Sequence, residues 1–169
     1  LDYNKVTSMA IAGNSGSGKS YALTYFLSLL KNISDLIIVD PKFDTPSRWA
    51  RAHGIPVLHP QKNRSKSDFV SEINENLSTC LNLIQQRQEI LYDNPEHKFE
   101  HLTIVIDEVL ALSEGVNKTI KDSFFSLLSQ VSLLGRATSI HLLLVSQRYD
   151  YNTIPISVRE QLNVLIQIG

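Results

Sequence analysis

A chain of 169 residues has the length of a single domain with room for one substantial core. Apolar residues make up 43% and charged residues 20%, the balance of an ordinary globular fold rather than of a disordered chain. The formal charge of −1 advertises no nucleic-acid surface by composition, and Cys80, the one cysteine, excludes an internal disulfide.

Residues 6–12 (VTSMAIA) form a short, mostly apolar run that predicts a buried strand. Residues 19–30 carry Leu23, Phe26, Leu27 and Leu30 at the spacing of one helical face. Residues 36–39 (LIIV) predict a second buried strand, ended by Asp40-Pro41. A short helix is expected over 46–53, a brief strand over 55–58 and a polar loop over 63–67. From residue 67 to 92, Phe69, Ile73, Leu77, Leu81, Ile84 and Leu91 trace a long amphipathic helix that Asn94-Pro95 stops. Residues 102–106 (LTIVI) predict a third strand. Residues 120–134 predict a helix with Phe124, Leu127, Leu128 and Val131 facing inward, and 140–145 and 164–168 two further strands.

Apolar strands separated by helices imply an α/β fold: a mainly parallel sheet with helices on both faces. No apolar run approaches the roughly 18–20 residues that a membrane span needs. The chain starts at Leu1 rather than Met and stops at Gly169 just after a strand-like run, so it is expected to be one domain of a longer protein.

Between the first strand and the first helix lies Gly13-Asn14-Ser15-Gly16-Ser17-Gly18-Lys19-Ser20, which fits the phosphate-loop template G-x-x-x-x-G-K-[ST]. Its glycines let the backbone turn tightly and bring successive N–H groups to phosphate oxygens, and the helix that follows presents its positive end to the same charge. Lys19 is expected to reach the β- and γ-phosphates and the Ser20 hydroxyl to hold Mg²⁺, with Tyr21 completing the nucleotide-binding set. A glycine-serine turn with an incidental lysine would lack the strand before it and the helix after it.

At the end of "LTIVIDE" stand two adjacent carboxylates. Asp107 suits the Mg²⁺ shell, and Glu108 is placed to orient and deprotonate an attacking water. The adjacent glutamate favours an ATPase over a nucleotide kinase or a GTPase. Residues 117–120 (NKTI) lack the aspartate of a guanine-reading motif, and no LSGGQ stretch marks an ABC subunit. Gln147 follows the strand "IHLLLV" at the edge where parallel sheets bind ligands, so it either senses the γ-phosphate or caps the strand. Five histidines, at 53, 59, 97, 101 and 141, have no metal-ligand spacing, and His141 is expected in the core.

The phosphate loop, "VDPKFD" at 39–44, "IVIDEVLAL" and "LLGRATSIHLLLVSQR" at 133–148 together resemble the FtsK/SpoIIIE branch of the FtsK–HerA motor superfamily. Ser139 stands where that family often has glycine, and Ser146 where it has threonine. Within the family the chain looks most like the FtsK-like coupling proteins of Gram-positive conjugative elements. The resemblance implies a RecA-like P-loop NTPase core that hydrolyses ATP with Mg²⁺ in a homo-hexameric ring around DNA. It places the protein in the cytoplasm, tethered to the inner face of the membrane by segments outside this stretch. In such rings an arginine of the neighbouring subunit stabilises charge on the γ-phosphate.

Arg136 is the first candidate for that finger, with Arg148 and Arg159 behind it. A solvated cation at a helix end is the plainer account of Arg136. Asp40 and Lys42 either join the catalytic edge, meet another subunit or simply build an Asx-Pro turn. DNA contact would fall to the loops at 62–66 and 113–121, which carry few cations. A related ring ATPase of a type VII protein secretion apparatus, acting on polypeptide, is the alternative function.

Overall fold

The computed structural model describes residues 2–14, 18–147 and 154–168. Strand β1 (Ser8–Gly13) is buried at all six positions. It has no polar side to show to water because helices cover both faces of the sheet. Helix α1 (Lys19–Leu30) follows and buries Leu23, Leu27 and Leu30. Strand β2 (Asp35–Val39) comes next. Helix α2 (Thr45–Ala52) starts where the Asp44 carboxylate accepts the Thr45 N–H and Pro46 occupies the first turn.

Strand β3 (Val57–Leu58) leads to α3 (Lys66–Asp93), which is opened by a capping box. The Ser65 hydroxyl takes the Asp68 N–H, and the Asp68 carboxylate takes that of Ser65. Strand β4 (Leu102–Ile106), helix α4 (Lys118–Leu134), strand β5 (Ile140–Ser146), the short helix α5 (Ile156–Arg159) and strand β6 (Leu162–Ile168) complete the chain.

The six strands form one sheet in the order β3-β2-β4-β5-β1-β6. Every neighbouring pair is parallel. One face packs Met9, Ile11, Ile38 and Val145 against Leu23 and Leu27 of α1 and Ala50 of α2. The other packs Ile104, Ile106, Leu142 and Leu144 against Ile73, Leu77 and Ile84 of α3 and Phe124 and Leu128 of α4. The α/β architecture expected from the apolar runs is therefore met, with all strands pointing their C-terminal ends to one edge.

Several expectations shift in detail. The inner face of α3 includes Val70 and Cys80, while Leu81 and Leu91 are only half-buried. Strand β6 begins two residues early because of an irregularity that the apolar pattern hides. Ser8 pairs with Leu162 and Met9 with Val164, which leaves Asn163 as an extra residue. Its side-chain carbonyl accepts the Thr7 N–H at 2.6 Å and the Ser8 N–H at 3.3 Å, replacing the interrupted ladder. Among the described residues no helix is long and apolar enough to cross a membrane.

Candidate active site

Gly13 is the last residue of β1, and Gly18 precedes α1 with φ +83°, a conformation that an L side chain rarely adopts. Lys19 is thereby the first helical residue and, unusually for a lysine, only 8% exposed. Its Nζ donates to Glu108 Oε1 at 2.9 Å. Glu108 stands just past β4 with φ +53° and ψ +58°, a left-handed conformation strained for a residue with a Cβ. That turn lets Asp107 and Glu108 both face the same cavity although they are consecutive. The Asp107 N–H is tied to the Val39 carbonyl at 2.9 Å, so its carboxylate sits at a fixed height above β2.

The cavity holds about 300 Å³. Asn14, Gly18, Lys19, Ser20 and Tyr21 line it from the loop and helix, and Asp107, Glu108 and Gln147 from the neighbouring strand ends. Strand order explains the convergence: β5 lies between β4 and β1, so Gln147 enters between the acidic pair and the phosphate loop. Ser15, Gly16 and Ser17 of the expected cradle lie outside the described residues, as does Arg148.

Burial pushes the Asp107 carboxyl up to about 7, helped by the negative charges of Asp40 and Glu108 and opposed by Lys19 and the Glu108 N–H. Three carboxylates thus crowd a site 92% closed to solvent at Asp107, which is exposed by only 8%. A divalent cation would relieve that crowding. Among the described residues no three His, Cys, Asp or Glu side chains are grouped to hold a metal by themselves. The donors at hand, the Asp107 carboxylate and the Ser20 hydroxyl, are hard oxygens that fit Mg²⁺ sharing its remaining positions with phosphate and water.

Asp40 resolves one of the open alternatives. It is fully buried and accepts the N–H groups of Lys42 and Asp44, each at 2.8 Å, together with the Ser47 hydroxyl. It builds the turn. Lys42, carried by that turn, does reach the cavity, and its Nζ lies 3.9 Å from Glu108 Oε1.

The other candidate cations lie elsewhere. Arg136 is exposed at the opposite end of β5 from Gln147, in a 3₁₀ turn (Arg136–Thr138) beside Asn4, Phe99 and Leu133. Seven residues of strand set it roughly 20 Å from its own cavity, at about 3.3 Å per residue. Arg159 Nε donates to the Ile154 carbonyl at 2.9 Å and braces α5. The two loops considered for DNA meet each other, because Lys66 Nζ donates to the Glu114 carbonyl. Arg64 in the first loop is paired with Glu72 at 2.8 Å, whereas Lys62, Lys118 and Lys121 are exposed. Both loops follow C-terminal strand ends, on the cavity's edge of the sheet. Sequence reading overlooked Gly135, which lets α4 turn into β5 and so sets where Arg136 stands.

Two kinds of likeness accord with this geometry. The DNA translocase FtsK of Helicobacter pylori is 29% identical over 168 aligned positions, 90% of this chain. The chain spans 19% of that relative's length. Among solved structures, the pCW3 conjugation coupling protein TcpA, in a monomer form with ATPγS, superposes with a TM-score of 0.68 at 24% identity. That match covers 99% of this chain and 50% of TcpA. The cytoplasmic domain of the Thermomonospora curvata type VII secretion ATPase EccC gives 0.66 at 18% identity, over 99% of this chain and 21% of EccC. The FtsK-type likeness read from the motifs is met. A family model for the AAA domain matches residues 4–153, and the chain belongs to that family.

Proposed function

We propose that this domain is the motor of a DNA translocase, binding ATP in the cavity between the phosphate loop and β4 and hydrolysing it within a ring of identical chains. Membership of an ATPase family accounts for nucleotide binding and hydrolysis. The observation that carries the reading is the convergence of Lys19, Asp107, Glu108 and Gln147 on one cavity from three separate strand ends.

In this reading the loop amides from Gly13 to Gly18, with Asn14, Ser15, Gly16 and Ser17 between them, cradle the phosphates at the positive end of α1. Tyr21, 81% exposed at the cavity rim, offers a ring face to the nucleoside. Lys19 exchanges its Glu108 partner for the β- and γ-phosphate oxygens. Ser20 and Asp107 hold Mg²⁺, which when bound neutralises charge on those phosphates. Glu108, released from Lys19, takes a proton from the water whose oxygen attacks the γ-phosphorus, and Gln147 orients that water. The bond from that phosphorus to the β,γ-bridging oxygen breaks, and ADP departs with that oxygen.

Arg136 faces away from its own cavity, so a finger role belongs to the site of the next subunit. Exposed apolar side chains flank both halves of such a shared site. Tyr21, Tyr25, Leu29 and Ile33 run at four-residue spacing from the cavity rim, and Leu133 adjoins Arg136. DNA as the substrate rests on the FtsK relative and on Lys62, Lys118 and Lys121 at the cavity's edge of the sheet. Attachment at the inner membrane face, which the FtsK likeness suggests, has no spanning helix to carry it among the described residues. A polypeptide substrate is the second reading, favoured by the near-equal superposition on EccC.

Phosphate release by the full-length protein tests the proposal. Lys19→Ala is expected to abolish both nucleotide binding and turnover. Glu108→Ala should keep binding while turnover falls by about 100-fold or more, the usual contribution of a general base. Double-stranded or single-stranded DNA should stimulate hydrolysis. Unchanged turnover in either variant defeats the ATPase assignment, and stimulation by a secreted polypeptide but not by DNA transfers the motor to the second reading.

A further inference from the structure

We infer that Lys42 is a second phosphate-binding cation, recognising the terminal phosphoryl of a bound nucleoside triphosphate and so separating the triphosphate from the diphosphate state of the site. The inference rests on the nucleotide reading above and goes beyond it, because Lys42 belongs to neither the phosphate loop nor the acidic pair.

Three observations lead there. Glu108 Oε1 lies 2.9 Å from Lys19 Nζ and 3.9 Å from Lys42 Nζ, so one anionic oxygen sits between two ammonium groups. That oxygen occupies the position that an anionic ligand oxygen would compete for. Next, Lys19 and Lys42 are the two cations among the described residues lining the cavity, against Asp44, Asp107 and Glu108. A triphosphate tail brings further negative charge into a site already short of positive charge, and Lys42 is the more exposed and more loosely paired of the two ammonium groups that can meet it.

The third observation is how firmly Lys42 is held at its base. Asp40, fully buried, accepts its N–H at 2.8 Å and that of Asp44 at 2.8 Å. The Asp40 N–H is bonded to the Leu58 carbonyl at 2.9 Å. Phe43 is held at φ +52° with its ring 4.4 Å from that of His59 and 5.5 Å from the Arg51 guanidinium carbon. A buried carboxylate, a strained residue and a ring contact thus fix the backbone on either side of a side chain that is itself 57% exposed over the cavity. The position favours the γ-phosphate over the β. Lys19 and the end of α1 lie on the loop side, whereas Lys42 adjoins Glu108, where the water must attack.

A lysine at 3.9 Å in a half-exposed pair is otherwise a weak surface contact whose loss changes nothing measurable. Titration calorimetry with ADP and with ATPγS, each with Mg²⁺, separates the two cases. The proteins are the wild type, Lys42→Ala, Lys42→Arg and Lys19→Ala, with thermal unfolding verifying that each is folded. Lys42→Ala should weaken ATPγS binding about tenfold or more, the worth of a charge-assisted contact, and ADP binding less than about twofold. Lys42→Arg should keep the preference for ATPγS. Equal losses for both nucleotides, or no loss for either, overturn the role of Lys42 while leaving the site intact. A wild type that binds neither nucleotide, or a Lys19→Ala variant that binds like the wild type, overturns the nucleotide reading itself and this inference with it.

Discussion

A Cβ added at Gly135 would lie 2.2 Å from the Ile140 carbonyl oxygen and 2.8 Å from that of Val131, both backbone atoms that cannot swing away. Gly135 is right-handed, at φ −72° and ψ −25°, so its conformation alone would accept alanine. Helix propensity would even favour the exchange by about 1 kcal/mol. The collision is the larger effect. Gly135→Ala is expected to destabilise the domain by about 3 kcal/mol, an overpacking cost, visible as a lower urea midpoint with unchanged slope. An unaltered midpoint would mean that the turn from α4 into β5 relaxes freely. This glycine was illegible in the sequence because its constraint comes from a carbonyl five positions along that only the folded turn brings back. The meeting of Lys19, Asp107 and Glu108 at one cavity was legible for the opposite reason: each sits in a contiguous pattern placed at the end of an apolar strand. What no spacing reveals is that Lys19 and Glu108 pair with each other, a contact made by the sheet.

At the N-terminal ends of β4 and β5, on the edge away from the cavity, a polar cluster is sealed into the fold. His101 Nδ1 and His141 Nε2 lie 2.8 Å apart, and the Tyr3 ring stacks on His141 at 3.9 Å. Tyr3 Oη, Thr103 Oγ1 and Ser34 Oγ form a chain of bonds of 2.6 and 2.7 Å beside them. Burial pushes His141 down to about 4, helped by the charge of His101 and opposed by the Val6 and Thr7 backbone. His101 is lowered too, by burial and then by Arg87, against Asp2. An unfolded His141 titrates near 6.5, so from there down to about 4 the unfolded chain binds a proton that the native one refuses. His141 therefore costs the fold nothing above pH 6.5 and roughly 3 kcal/mol by pH 4, at 1.36 kcal/mol per unit. Asp107, raised to about 7, binds its proton in the native state over the same range and so offsets this loss in the wild type. The test is therefore the difference between the two proteins: between pH 6.5 and 4.5 the stability of His141→Gln relative to the wild type should rise by about 1.36 kcal/mol per unit as pH falls. A difference that does not change with pH would place the titration elsewhere. His141 is legible as a core residue from its apolar strand, whereas Tyr3 is not, since a three-residue 3₁₀ turn (Tyr3–Lys5) has no period to read. Helix α5 is illegible for the same reason, whereas α1, α3 and α4 each repeat an apolar face long enough to count.

Across the whole sheet, the two ends of β5 hold the two halves of the proposed shared site, which one chain cannot close. Gln147 belongs to the cavity edge and Arg136 to the far edge, with the full strand between them. A rigid parallel strand neither bends nor shortens enough to bring them together, so any joint action of Lys19 and Arg136 on one nucleotide must cross between subunits. A mixing experiment with full-length protein exposes that arrangement. Lys19→Ala chains supply Arg136 but an empty cradle, and Arg136→Ala chains supply the cradle but no finger. Each variant alone should be nearly inactive. Mixed in equal amounts, with random assembly, about a quarter of sites pair an intact cradle with an intact neighbouring finger, and activity should rise to that order. Wild-type turnover per chain should climb with protein concentration over the same range in which rings form. A mixture no more active than its separate components, with wild-type turnover per chain independent of concentration, would place the whole reaction within one chain and reduce Arg136 to a solvated helix-end cation.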